Sequence, residues 1–387
     1  MKENLTFVFV HGLAGWGSYD KSYQRMPYWG MRGGDLMTFL RGKGYDCYAA
    51  SVSPVGSAWD RVCELYAQLA GTRVDYGEAH SREYHHERFG RDFSGKPLIP
   101  DWNKDTRLVL LGHSFGGATV RLFSELLANG DKAELLANGD KAQRTACNAA
   151  SDVRSDAAFN SVCDDLSPLF TGGMGERIHS IVTLAAPTNG TSVYDMGRDP
   201  LFDPAKVRAP WWSRPLAKVM SKGLRTVPDG RDARDYAAYD MYIDHAMQLN
   251  ERIETLPRVY YFSVPCSFTT RRKDGSCRPK RKMEPLFVMR SCQIGAYTGR
   301  TEGGVEIDDR WRENDGLVNT ISATFPIGAP AKDLDRDHID HGIWNVFPAY
   351  DGDHMALQGG LMRRHDIRGF YLKLLRMIDG LPRDASQ

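Results

Sequence analysis

The residue most able to do chemistry is Ser114, in Arg107-Leu-Val-Leu-Leu-Gly-His-Ser-Phe-Gly-Gly117. Four apolar residues precede Gly112 and a helical pattern, Ala118 to Leu127, follows. That strand–turn–helix setting makes Gly-x-Ser-x-Gly a nucleophile elbow. Small residues at Gly112 and Gly116 allow a turn tight enough to lift the hydroxyl above the sheet edge. The following helix aims its N-terminal amides at negative charge developing beside it. The chemistry implied is attack of an alkoxide-like oxygen on an electrophilic carbon.

A serine hydroxyl is a weak nucleophile until a base takes its proton, so an imidazole and an orienting carboxylate are required. In this setting they follow the serine in the order acid, then histidine. After Ser114 come His179, His245, His338, His341, His354 and His365. His179 lies within a strand and reads as a satisfied core imidazole. His338 and His341 lie in a charged run that reads as a solvated loop. His354, in Tyr350-Asp-Gly-Asp-His-Met355, sits in a glycine-containing loop before the final helix and is the expected base. Asp315, in Glu313-Asn-Asp-Gly-Leu-Val-Asn319, reads either as the acid or as an ordinary turn residue. Two backbone donors are expected to hold an oxyanion: the amide of Phe115 and, from Phe9-Val-His-Gly-Leu13, the amide of Leu13. Phe115, Trp16, Trp211 and Trp212 are candidates for an apolar acyl-binding wall, with simple packing as the alternative.

A second cluster holds His80 and His86, with Asp60 upstream. Their spacing suits neither one helix face nor a zinc-protease motif. Two imidazoles with carboxylates fit a closed structural metal site; a polar loop rich in histidine fits the same residues.

These residues need a frame. Strand-like runs at 5–10, 46–52, 108–111, 178–185 and 259–264 alternate with helical patterns, which predicts an α/β fold with a mostly parallel sheet covered on both faces. The 387 residues, 42% hydrophobic, suffice for one domain with insertions. Residues 53–105 read as an insertion and 190–250, with Trp211-Trp212 among prolines, as a cap. Glu125-Leu-Leu-Ala-Asn-Gly-Asp-Lys-Ala133 recurs unchanged as residues 134–142. Nine residues turn a helix by about 900°, so the second copy is expected to face away from the core and take no part in chemistry. The net charge of +1 makes no case for nucleic acid or an anionic membrane as partner. No stretch reaches the length of a membrane span. No leader is evident before the first strand, so the chain reads as cytosolic or as a mature secreted form. Of seven cysteines, Cys266 with Cys277 and Cys147 with Cys163 are spaced to close short loops, and Cys63 reads as a buried thiol.

Taken together, the chain resembles the zinc-containing true lipases of Gram-positive bacteria, bacterial lipase family I.5. The likeness runs through His11-Gly-Leu-Ala-Gly-Trp-Gly17, Tyr28-Trp-Gly30, Trp59-Asp-Arg-Val-Cys-Glu64, Val74-Asp-Tyr-Gly77, Arg88-Phe-Gly-Arg91 and Ser167-Pro-Leu-Phe170. It continues through Asp308-Asp-Arg-Trp311, Glu313-Asn-Asp-Gly316 and Asp366-Ile-Arg-Gly-Phe-Tyr371. The resemblance implies an α/β-hydrolase and a secreted ester hydrolase acting on lipid or polymeric esters at an interface. Its triad falls on Ser114, Asp315 and His354, its oxyanion amides on Leu13 and Phe115. It places structural zinc on Asp60, His80, His86 and Asp240, pinning the insertion. Met355-Ala-Leu-Gln-Gly-Gly360 after His354 lacks the carboxylates of the family's calcium site, so calcium is not expected. The cap is shorter than in large-lidded members, which points to an open cleft and to polyester hydrolysis as an alternative activity. A catalytically silent, zinc-stabilised binding module is the rival from another class.

Overall fold

The structure is a computed structural model describing residues 5–137, 166–224, 231–362 and 364–383. Seven strands form one parallel sheet: β1 (Leu5–Val10), β2 (Asp46–Ala50), β3 (Arg107–His113), β4 (Ile178–Leu184), β5 (Tyr260–Val264), β6 (Ala331–Asp333) and β7 (Trp344–Val346). Their spatial order is β6-β7-β5-β4-β3-β1-β2. The central strands β1, β3, β4 and β5 are buried almost throughout, because a parallel sheet is covered on both faces. The five anticipated strands are present, within two residues of their expected ends. The two short strands at the far edge were not anticipated, since three residues such as Ala331-Lys-Asp333 carry no readable alternation.

Side-chain alternation divides the core into two layers. Val8, Val10, Leu108, Leu110 and Ile181 point to one face and pack with α2 (Ala58–Ala70) and α4 (Gly116–Asn129). Phe7, Phe9, Val109, Leu111 and Val182 point to the other, against α1 (Leu36–Arg41) and α7 (Arg368–Asp379). The remaining helices used below are α3 (Glu78–Tyr84), α5 (Ser213–Leu224) and α6 (Val288–Ile294). Burying one such aliphatic or aromatic side chain contributes about 1.5–3 kcal/mol, so a sheet covered twice makes a stiff base for its carboxyl edge.

Two expectations change. Cys266 and Cys277 are separate buried thiols, not a disulfide. The hairpin Thr269–Arg271/Cys277–Pro279 sets Cys277 opposite Arg271, while Cys266 lies beside Tyr350. Cys147 and Cys163 lie outside the described residues; Cys63 is buried as expected. In the nine-residue repeat, α4 stops at Asn129, so Leu126 and Leu127 are buried while Leu135 and Leu136, in a separate turn beyond Gly130, are exposed. The second copy nevertheless enters the core through Glu134, 1% exposed. Its carboxylate accepts from the amides of Ala79 (3.0 Å) and His80 (2.8 Å) at the start of α3.

Candidate active site

β3 ends beside the carboxyl end of β1, with Val10 in register with Gly112. This brings His11-Gly12-Leu13 against the turn into α4. Ser114 has φ of +55°, a left-handed conformation that costs a non-glycine residue on the order of 1–3 kcal/mol. Its amide is held by the Leu184 carbonyl at 2.9 Å. A Cβ at Gly112 would overlap the Gly116 carbonyl, and one at Gly116 would overlap that of Val10. The elbow therefore closes only with glycine at both places.

Asp315 and His354 come from loops beyond the same sheet edge. His354 Nδ1 donates to Asp315 Oδ2 at 2.8 Å, and its Nε2 accepts from Ser114 Oγ at 2.8 Å. Asp315 is 1% exposed, and its other oxygen accepts from the amides of Leu317 (2.9 Å) and Val318 (2.7 Å). The His354 amide donates to the Asp315 carbonyl at 2.9 Å, so the two loops lock each other. Among the described residues the amides of Leu13 and Phe115 have no hydrogen-bond partner. A Cβ at Gly12 would lie 3.1 Å from Ser114 Oγ, which sets the Gly12–Leu13 backbone beside the hydroxyl.

A buried network ties these parts together. Gly12 N donates to Tyr28 Oη (3.0 Å), Tyr28 Oη donates to His113 Nδ1 (2.7 Å), and His113 Nε2 donates to the His354 carbonyl (2.8 Å). His113 must be neutral to accept at one nitrogen and donate at the other. Burial, then the neighbouring His354, holds its pKa down at about 3. Arg61, fully buried, spans from the His11 carbonyl to Thr119 Oγ1 (2.9 Å) and the Ser53 carbonyl (2.8 Å).

The second cluster lies one residue from Arg61. Asp60, His80, His86 and Asp235 converge with ligand atoms all within 4.8 Å of one another. His80 Nε2 lies 3.3 Å from Asp60 Oδ1 and 3.2 Å from Asp235 Oδ1; His86 Nε2 lies 3.4 Å from Asp235 Oδ2 and 4.0 Å from Asp60 Oδ1. A tetrahedral ion with bonds of about 2.0 Å has ligand–ligand edges of about 3.3 Å. Asp60 Oδ1, His80 Nε2 and His86 Nε2 are buried without a hydrogen-bond partner, as an absent cation would leave them. His86 Nδ1 donates to the Glu87 carbonyl at 2.8 Å, turning Nε2 inward as an acceptor. His80 stacks on Trp59 and is further oriented by the Glu134 cap on its helix. Asp240, expected as the fourth ligand, is not in this group: its Oδ2 accepts from Ala58 N at 2.7 Å, capping α2. Asp235, five residues earlier, takes the inward place.

A model of the lipase-like C-terminal domain family matches residues 3–146 and 229–376. The chain belongs to this lipase-like family. It is similar to Lipase 2 of Staphylococcus aureus, 31% identical over 375 residues that cover 91% of this chain and 50% of that protein. Lipase 1 of S. aureus strain Mu50 is likewise 31% identical, over 373 residues. The lipase-like chain thus spans about half the length of the curated relatives it matches. Among solved structures, Staphylococcus hyicus lipase aligns with TM-score 0.74 and 28% identity, covering 97% of this chain and 95% of that one. EstA from Clostridium botulinum aligns with TM-score 0.76 and 27% identity over 98% of this chain and 88% of its own. Lipase 1 from Pelosinus fermentans aligns with TM-score 0.72 and 29% identity, covering 99% and 100%.

In this lipase-like chain Ser114 and His354 open into a cleft of about 300 Å³ whose walls are mostly apolar. Trp16 lines it, held by a 2.7 Å hydrogen bond from its indole to the Met26 carbonyl. Trp211 and Trp212 do not: they are 83% and 41% exposed outside it. Wall residues that the sequence did not single out include Val193, Tyr194, Met241, Phe287 and Leu317. They come from four separate segments, and no local spacing connects them. In the segment after His354, Glu284 Oε1 accepts from the amides of Leu361 (2.9 Å) and Met362 (2.7 Å).

Proposed function

We propose that the chain is a serine carboxylic-ester hydrolase of the lipase/esterase type. Ser114 Oγ attacks the acyl carbon while His354 Nε2 takes its proton. Asp315 orients the imidazole and stabilises its positive charge. The Leu13 and Phe115 amides receive the oxyanion; one such donor is worth roughly 3–4 kcal/mol in the transition state. His354 then gives the proton to the departing alcohol oxygen, leaving an acyl-serine. Water, deprotonated by His354, breaks that bond and releases the carboxylic acid. The observation that carries this reading is the unbroken contact series from Asp315 through His354 to Ser114, with both steps at 2.8 Å and Ser114 held at positive φ. The family match supports it independently.

Its substrates are lipid esters at an interface, met by a protein acting outside the cell; the mostly apolar cleft supports the first part. Residues 190–250 act as a reduced cap whose two ends line the cleft through Val193 and Met241 while its middle turns Trp211 to solvent. An uncovered cleft admits bulky acyl groups, including polyester chains. Hydrolysis of p-nitrophenyl butyrate, lost in Ser114→Ala, tests the reaction. Comparable rates on dissolved and emulsified ester test the open cleft, and a sharp rise at the emulsion contradicts it.

The metal at Asp60, His80, His86 and Asp235 is zinc in a structural role. Bound there, it supplies an electrostatic cross-link between α2, α3 and residues 231–236. Four protein donors leave no coordination place for a reacting water.

A further inference from the structure

The whole-chain charge of +1 conceals an uneven distribution. Residues 204–218 carry four basic side chains and no acidic one, and residues 269–282 carry seven against the single Asp274. The fold joins them. Arg278 in the hairpin donates to the Arg208 carbonyl, Gln293 of α6 donates to the Pro204 carbonyl at 3.0 Å, and α5 packs on α6. Some of these charges are spoken for: Arg271 faces Asp309, Lys280 faces Asp351 and Lys206 faces Asp203. Arg208, Arg214, Lys218, Lys273, Arg281 and Lys282 are exposed or half-buried, with no ion pair among the described residues.

The same edge carries the most exposed large apolar side chains of the described residues, Leu201 at 95% and Trp211 at 83%, with Trp212 at 41%. On α5, Ser213 and Ala217 face inward while Arg214 and Lys218 face water, a basic outer face one turn long. The edge borders the cleft: Leu286 and Phe287, which lead into α6, line its wall. Tryptophan beside lysine and arginine suits a water–lipid boundary, where the indole enters the headgroup layer and the cations stay on the anionic plane. A surface built only for a soluble polyanion has no use for an exposed leucine and tryptophan.

We propose that the edge formed by residues 201–218 and the hairpin 269–282 docks the protein on an anionic lipid surface and sets the cleft mouth against it. The net-charge argument against an anionic membrane fails here because it averages over the whole chain. The proposal rests on the ester-hydrolase reading for its purpose. Hydrolysis of an ester consumes water, breaks the acyl–oxygen bond and releases a carboxylic acid that ionises at neutral pH. Each turnover at an interface therefore adds negative charge to the plane the edge recognises, and binding strengthens as product accumulates.

The test uses the full chain with Ser114→Ala, so that vesicles are not degraded, in cosedimentation with phosphatidylcholine vesicles and with vesicles that also contain phosphatidylglycerol. The expected result is at least about tenfold tighter partition onto the anionic vesicles, removed at 1 M salt, where the screening length is about 3 Å. Adding Lys273→Gln, Arg281→Gln and Lys282→Gln together cuts the preference at least severalfold; in the chain that keeps Ser114 the same three changes leave hydrolysis of a dissolved ester unaltered. Trp211→Ala weakens binding to both vesicles. Equal partition onto the two vesicles, or a preference undiminished by the triple change, overturns the proposal. Binding of heparin or duplex DNA without vesicle binding assigns the edge to a soluble polyanion, and a dimer broken by Trp211→Ala assigns it to a second copy; either also overturns it. Failure of the parent chain to cleave ester sinks the hydrolase reading instead and leaves the partition measurement standing.

Discussion

The triad and the metal corner lie on either side of two consecutive residues, Arg61 and Asp60, at the start of α2, yet they are finished in different ways. Around the serine the polar side chains satisfy one another: Asp315 accepts two amides and an imidazole, His113 is bonded at both nitrogens, and the Leu13 and Phe115 amides stay open among the described residues. At the corner three ligand atoms are buried with no partner. The first region is complete as protein and waits for a substrate oxygen. The second holds Arg231 against Asp60 Oδ2 at 2.9 Å and has room for a metal ion, whose binding energy, on the proposed reading, becomes folding energy. On the proposed reading, precise placement is built from hydrogen bonds, and the staple beside it from a metal.

The sharpest break of this comparison is Ser114→Ala. It should lower kcat on p-nitrophenyl butyrate by about 10⁴-fold or more while the melting temperature moves little. Loss of folding along with activity would mean that the elbow is a structural device. Metal removal should do the reverse. Stripping zinc with dipicolinate is expected to cost about 3 kcal/mol, read as a lower melting temperature that added Zn²⁺ restores. Residual activity well below the melting point should persist, reduced through the slackened Arg61 hold on the His11 carbonyl.

A third probe uses pH. His113 has a folded pKa of about 3, below the usual 6.5, so the unfolded chain binds the proton first. Its contribution is fully present above pH 6.5 and is lost as pH falls from there toward 3. The destabilisation of His113→Gln relative to the parent should therefore shrink by about 2 kcal/mol between pH 7 and pH 5. Denaturant titrations of both proteins at the two values measure this, and parallel pH profiles would contradict a buried neutral imidazole. The smallest expected effect separates two neighbouring carboxylates. Asp240→Asn should keep the bound zinc and cost about 1 kcal/mol as a weakened cap; Asp235→Asn should lose zinc by elemental analysis. The opposite pattern would return the fourth ligand to Asp240.

What could be read from the sequence follows the locality of each feature. The elbow is a contiguous motif whose strand and helix flank it, so Ser114 and Phe115 were legible before any fold. His354 and Asp315 were legible as loop residues in the right order, and the structure brings both to the serine. The fourth carboxylate was not, because Asp235 and Asp240 lie five residues apart and only the path of residues 231–240 decides which one turns inward. Glu134 was missed for a related reason: it lies beyond the helix stop at Gly130, and only the path of the chain after that stop brings its carboxylate to α3. Trp211 and Trp212 looked like cleft residues by composition; their exposure shows that a proline-rich segment carries them past it.

On the proposed mechanism, His354 activates Ser114 already in the resting protein. Incubation of the folded chain with a fluorophosphonate, followed by peptide mass spectrometry, tests it most directly. One adduct per chain is expected, located on Ser114 and nearly abolished by His354→Ala. An adduct on another residue, or equal labelling with and without the imidazole, would contradict it.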